Sequence, residues 1–157
     1  MRVVLDTSAI IYLNDFRNFD EMFTIQEVVE EVKDEISSMK LSGLRLKVAE
    51  PSKKNVDEIK DAAEETGDLE KLSATDIKVL ALAKEIGGVV ISDDRNVQNV
   101  AEKIGMKCIS VFSKKITRLI MWKNYCKNCK RCFDKEVCPV CGSKLARVPS
   151  KAVKLNK

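Results

Sequence analysis

The cysteines carry the plainest chemistry in this sequence. Cys126-Lys-Asn-Cys129 and Cys138-Pro-Val-Cys141 are two CxxC pairs separated by eight residues. Each pair suits a tight turn that aims two thiolates at one ion, and two such turns close a tetrahedral four-sulfur site. The expected ion is Zn2+ in a structural role; iron in the same geometry is the lesser alternative. A redox dithiol would need only one pair. Gly142, directly after the second pair, suits such a turn because glycine takes positive φ freely. Cys132 continues the spacing of three from Cys126 and Cys129 and is a surplus competitor, while Cys108 stands alone.

The second set is carboxylate. The chain has no histidine, so Ser-His-Asp and Cys-His catalysis and His-ligated zinc are excluded. Asp6 follows Val-Val-Leu, Asp76 closes Leu-Ser-Ala-Thr-Asp, and Asp93 and Asp94 follow Val-Val-Ile-Ser. Glu31 borders an apolar helical stripe, in competition with Glu27, Glu30, Asp34 and Glu35. Each also has an ordinary structural role open to it. Asp6 suits a helix N-cap. Asp76 suits the third position of a capping box opened by Ser73, where the helix dipole adds roughly 0.3–1 kcal/mol. Glu31 suits a solvated helix face. Asp93 and Asp94 are adjacent like charges that a cation would relieve. Together they suggest an acidic edge. Hard ions such as Mg2+ or Mn2+ prefer oxygen ligands, and an acidic site holding them suits hydrolysis of phosphodiesters.

These residues need elements to position them. Residues 2–6 read as a strand and 24–38 as one helix, with Thr24 and Glu27 as its capping box. Residues 44–49 and 88–92 read as strands, and 107–112 as a last one. Residues 56–66, 73–86 and 96–104 read as helices closed by Gly67, Gly87 and Gly105. This alternation predicts an α/β fold: a parallel central sheet with helices on both faces, plus a small C-terminal ribbon. Ligands of such sheets bind at the carboxyl ends of the strands, where Asp6, Asp93 and Asp94 fall.

Charge divides the chain in the same way. Residues 1–113 hold 15 Lys and Arg against 22 Asp and Glu, net −7, whereas residues 114–157 hold 13 against 2, net +11. Four thiolates and one Zn2+ bring the second figure to about +9. Trp122, Tyr125 and Phe133 lie among those cations, which suits base stacking on RNA, although Phe133 fits packing around the ribbon better. Lys123, Tyr125, Lys127, Lys130, Arg131, Lys144 and Arg147 are the expected RNA contacts. No apolar run is long enough to span a membrane, and a charge at residue 6 is unlike a signal peptide. A cytoplasmic protein with reduced thiols is expected.

Several stretches together resemble a known family. Val3-Val4-Leu5-Asp6-Thr7-Ser8-Ala9 resembles the opening of a PIN domain, a nuclease fold. Leu72-Ser73-Ala74-Thr75-Asp76-Ile77 and Ser92-Asp93-Asp94-Arg95-Asn96-Val97 resemble its later acidic motifs, and Thr24 to Asp34 is similar to a glutamate-bearing helix of one subfamily. With the ribbon that follows, the chain resembles the archaeal NIN-one-binding endonucleases, which mature the 3′ end of small-subunit ribosomal RNA. The resemblance implies Asp6, Glu31, Asp76 and Asp94 as catalytic carboxylates that bind Mg2+ or Mn2+. It favours Asp94 over Asp93, because Val97 then takes the expected apolar place. Asn96 stands where many PIN domains carry another acid, which implies a leaner site. The implied partners are ribosomal RNA and the pre-small ribosomal subunit, and the implied products carry 5′-phosphate and 3′-hydroxyl ends.

The expected domains are a nuclease unit at 1–113, a linker at 114–124, the zinc ribbon at 125–148 and a basic tail at 149–157. A non-catalytic RNA-binding assembly factor is one alternative. A toxin-like PIN nuclease acting on other RNA is another, against which the ribbon argues. Nothing in the sequence speaks to oligomeric state.

Overall fold

A computed structural model describes residues 1–155; Asn156 and Lys157, the end of the expected tail, lie outside the described residues. Five short strands form one parallel sheet: β1 (Arg2–Leu5), β2 (Glu21–Thr24), β3 (Leu46–Val48), β4 (Val89–Ile91) and β5 (Cys108–Ile109), in the order β3-β2-β1-β4-β5. The central strand β1 is a run of apolar residues because helices cover both faces of a parallel sheet. Val3, Val4 and Leu5 are fully buried.

The covering helices are α1 (Thr7–Tyr12), α2 (Gln26–Glu31), α3 (Glu35–Gly43), α4 (Lys53–Thr66), α5 (Ala74–Ile86) and α6 (Arg95–Lys103). Their ends follow local chemistry. Asp6, Asp34, Ser73 and Asp94 cap α1, α3, α5 and α6 through their side chains, and Gly67 and Gly87 close α4 and α5 in the left-handed conformation. Among the described residues no helix is long and apolar enough to cross a membrane.

Three expectations need correction. The single helix over 24–38 is two helices behind a strand. Thr24 ends β2, and its hydroxyl donates to the Leu5 carbonyl (2.8 Å) rather than capping a helix. The helix then stops at Val32 and restarts where Asp34 accepts from the Ser37 amide (2.8 Å). Next, residues 118–124 are not a linker, because β6 (Arg118–Cys126) runs unbroken into the first metal knuckle. Finally, residues 149–154 of the expected tail are strand: β8 (Ala146–Lys154) pairs antiparallel with β6, and β7 (Arg131–Phe133) pairs on its other side. Pro149 does not end the strand. It sits opposite Trp122 at the register shift of an edge strand, the kind of place where a sheet tolerates proline.

Nearly all the buried apolar residues belong to the N-terminal unit built on the parallel sheet. The second core is only Cys126, Cys138 and Leu145, with Cys129 and Phe133 packed against it. Phe133 is therefore a packing residue, as its position among the cysteines suggests.

Candidate active site and metal centre

The acidic edge is built from helix starts. Leu5 and Ile91 are register partners in adjacent strands, so Asp6 and the Ser92-Asp93-Asp94 turn leave the sheet side by side. Asp6 Oδ1 accepts from the Ala9 amide (2.7 Å) and the Ser8 hydroxyl (2.8 Å). Asp94 Oδ1 accepts from the Asn96 (2.6 Å) and Val97 (3.1 Å) amides. Asp76 Oδ2 accepts from the Ser73 amide and hydroxyl, both at 2.8 Å, completing the capping box. The structural and chemical readings of these aspartates are thus compatible. One oxygen of each holds a helix start.

Asp6 is buried, and burial pushes its pKa above the ordinary value. Bonds from Ser92, Ala9 and Ser8 oppose the shift, and the negative charge of Asp76 adds to it. The Asp6 carboxylate therefore sits in an environment short of positive charge, which a bound cation would supply.

Glu31 ends α2 and ties that helix to two others. Its Oε1 accepts from the Thr75 hydroxyl (2.9 Å) and its Oε2 from the Thr7 hydroxyl (2.5 Å). Thr7 follows Asp6, and Thr75 precedes Asp76. This places Glu31 between the two aspartates and picks it out from its acidic neighbours. Glu27, for instance, pairs with Lys78. Neither threonine was singled out by spacing; their only signal is adjacency to an acid.

Asp93 has a different task. It accepts from the Val111 (3.1 Å), Phe112 (3.1 Å) and Ser113 (2.9 Å) amides and from the Ser110 hydroxyl. These donors outweigh its desolvation and hold its pKa at about 2. Asp93 pins the loop after β5, whereas Asp94 caps α6.

The sulfur site is tighter. Among the described residues, Cys126, Cys129, Cys138 and Cys141 alone form a metal-competent group, with ligand atoms within 4.8 Å of one another. The four carboxylates are not drawn together so closely. Cys126 and Cys141 sulfurs lie 3.5 Å apart, and those of Cys129 and Cys138 lie 3.7 Å apart. A tetrahedral ion with 2.3 Å bonds to sulfur requires about 3.8 Å between sulfurs, so the donor set fits. The two knuckles match: the residue after each pair, Lys130 (φ 57°) or Gly142 (φ 70°), is left-handed, and its amide donates to Cys126 or Cys138 oxygen at 2.9 Å. Cys132 lies outside the cluster, exposed on β7 opposite Tyr125. Burial pushes the lone Cys108 thiol up to about 12, so it is an inert core residue.

The basic residues divide into two kinds. Lys123, Lys127, Lys130, Arg131 and Lys144 are exposed and form no ion pair among the described residues, and Tyr125 is half-buried. Arg147 is not on that free face. Its guanidinium pairs with fully buried Asp68, donates to the Gly67 carbonyl (3.1 Å) and lies 4.4 Å over the Trp122 ring. The cause is position: Arg147 sits where β8 passes the end of α4. Asn99 joins the same junction, donating to Asp68 (2.6 Å) and to the Ile120 carbonyl (2.7 Å), and accepting from the Ile120 amide (2.9 Å). Asp68 and Asn99 escaped the sequence reading; the one available signal was an amide pair, Gln98-Asn99, interrupting the apolar face of α6.

This geometry agrees with comparisons to known proteins. A family model described as PIN domain of ribonuclease matches residues 3–86, and one described as PINc domain ribonuclease matches 63–122. The chain is 41% identical to "Endoribonuclease Nob1" of Archaeoglobus fulgidus, over 89% of this chain and 86% of that protein. The chain belongs to the Nob1 family of PIN-domain endoribonucleases. "Endoribonuclease Nob1" of Pyrococcus abyssi is 40% identical, over 95% of this chain and 94% of that one. The "20S-pre-rRNA D-site endonuclease nob1" of Schizosaccharomyces pombe is 38% identical, over 54% of this chain and 23% of its own length. The crystal structure of PAE2754 from Pyrobaculum aerophilum shares the fold, with a TM-score of 0.50 and 16% identity over 71% of this chain and 90% of that one. Membership makes the protein an endoribonuclease of the PIN type.

Proposed function

We propose that this protein is a cytoplasmic, metal-dependent endoribonuclease that cuts precursor small-subunit ribosomal RNA at its 3′ end within the pre-small ribosomal subunit. The observation that supports this best is that Asp6, Asp76 and Asp94 each hold a helix start through one carboxylate oxygen, at adjoining ends of the sheet and helices. Mg2+ or Mn2+ held there would supply a nucleophilic water at neutral pH and offset charge on the scissile phosphate. Asp6, Asp76 and Asp94 bind and orient; Glu31, held by Thr7 and Thr75, keeps the α1 and α5 starts at a fixed spacing. The name of the fission-yeast relative supports a ribosomal RNA precursor as the substrate.

Zn2+ is the ion that best suits four thiolates, and a core of three residues implies that it supplies most of the ribbon's folding energy. Lys123, Tyr125, Lys127, Lys130, Arg131 and Lys144 then present an RNA-binding face. This division suits a polyanionic substrate, which the net charge of −7 on the nuclease unit would otherwise repel.

The test is cleavage of 3′-extended small-subunit RNA in Mn2+. Asp6→Asn and Asp76→Asn should each slow it by on the order of 100-fold or more, while RNA binding persists. Undiminished cleavage by both variants would refute the site.

A further inference from the structure

A cavity of about 440 Å3 opens where the first turn of α6 meets the segment from Lys114 to Trp122. Its charges are unbalanced. Arg95, Lys114 and Arg118 line it, and none of them has an ion pair among the described residues. Lys115 is already paired with Glu102 (2.5 Å), and Asp68, the cavity's acid, is neutralised by Arg147. Trp122 forms part of the wall, stiffened by the Arg147 guanidinium 4.4 Å over its ring. Three uncompensated cations around one concave space repel each other and favour an anionic occupant.

We infer that this cavity is a subsite for single-stranded RNA, holding nucleotides next to the scissile phosphate. Phosphates would bind Arg95, Lys114 and Arg118, and a base would lie against Trp122. The inference rests on the nuclease reading and extends it. Position supports it: Arg95 directly follows Asp94, so the cavity begins one residue from the carboxylate edge. Size supports it too. The volume falls in the range of small-ligand sites, suiting an unpaired nucleotide and not a duplex. An aromatic wall beside cations is the usual platform for an unstacked base, which favours RNA over an acidic peptide.

The experiment compares two charge-matched triple variants of the full zinc-loaded chain. One is Arg95→Gln, Lys114→Gln, Arg118→Gln; the control is Lys53→Gln, Lys54→Gln, Lys60→Gln, three exposed residues of α4. The probe is a short fluorescein-labelled single-stranded oligoribonucleotide, read by anisotropy across a salt series. Each phosphate contact to a single strand contributes about 0.7 to the salt slope, so the cavity variant should flatten it by about 2. Its affinity should fall at least ~10-fold at low salt, and the control should match wild type. A blunt RNA duplex should bind both variants alike. In cleavage, the cavity variant should raise KM more than it lowers kcat. Equal oligonucleotide binding by the two variants would overturn the inference, as would stronger competition by an acidic peptide than by unlabelled single strand. If wild type fails to cut RNA at all, the nuclease reading falls while the binding comparison still decides the subsite.

Discussion

Asp6 shows how one residue serves fold and chemistry at opposed costs. As a cap it stabilises α1, and as a buried charge beside Asp76 it is penalised. Its folded pKa lies above the unfolded one, so the stability linked to its protonated form is complete in acid and is lost as pH rises through the folded value. Asparagine would keep an acceptor for the Ala9 amide and shed the charge. Metal-free Asp6→Asn should therefore unfold at a temperature no lower than wild type at neutral pH, and any advantage should vanish in acid. Mn2+ at a hundredfold excess over its Kd should stabilise wild type by about 2.7 kcal/mol and the variant far less. Calorimetric scans with and without Mn2+ check this; an equal metal response in both proteins would remove Asp6 from the ligand set. The acidic residues were legible because capping and metal binding favour the same residue type at the same strand and helix ends. Glu31 was not separable from Glu27 or Glu30 by periodicity, since what selects it is two hydroxyls from distant helices.

At the level of elements, long periodic segments and glycine stops were readable, and α4, α5, β4 and α6 appear close to where patterning puts them. Short or unsignalled elements were not. The four residues of β2 carry no alternation, and β6 looked like a linker because its polar and apolar residues follow its partners in a second sheet. Gly67 illustrates the difference between local and tertiary causes. Gly67 and Gly87 both close helices at positive φ, so alanine at either costs on the order of 1 kcal/mol in backbone strain. A Cβ on Gly87 meets nothing within 4 Å, whereas one on Gly67 would lie 2.7 Å from the Trp122 carbonyl oxygen. Gly67→Ala should thus cost ~1–2 kcal/mol more than Gly87→Ala in urea unfolding, through strand β6 being forced away. Equal losses would show that α4 and β6 do not meet as closely as described.

Over the whole molecule, two bodies of very different self-sufficiency meet along one strand, β6, which packs on α4 and α6. The nuclease unit has a contiguous apolar core, and the ribbon has four sulfur ligands around a core of three residues. Chelating the ion should collapse β7-β6-β8 and leave the helices standing. Trp122 is the chain's single tryptophan and lies between the bodies, so it reports on that collapse. Its emission should shift to the red on chelation while far-ultraviolet helical signal stays nearly constant. Parallel loss of both signals would mean that the nuclease unit also depends on the metal.

The strand that joins the bodies has a geometric consequence. β6 passes the Asn99 side chain of α6 near its start and ends at Cys126, as one strand. Nine residues of extended chain are roughly 30 Å long. A ribbon gripping one landmark on a folded RNA would therefore carry the cutting edge at a set offset from it. Such a protein would work as a caliper, the bond it breaks chosen by a length built into its own backbone.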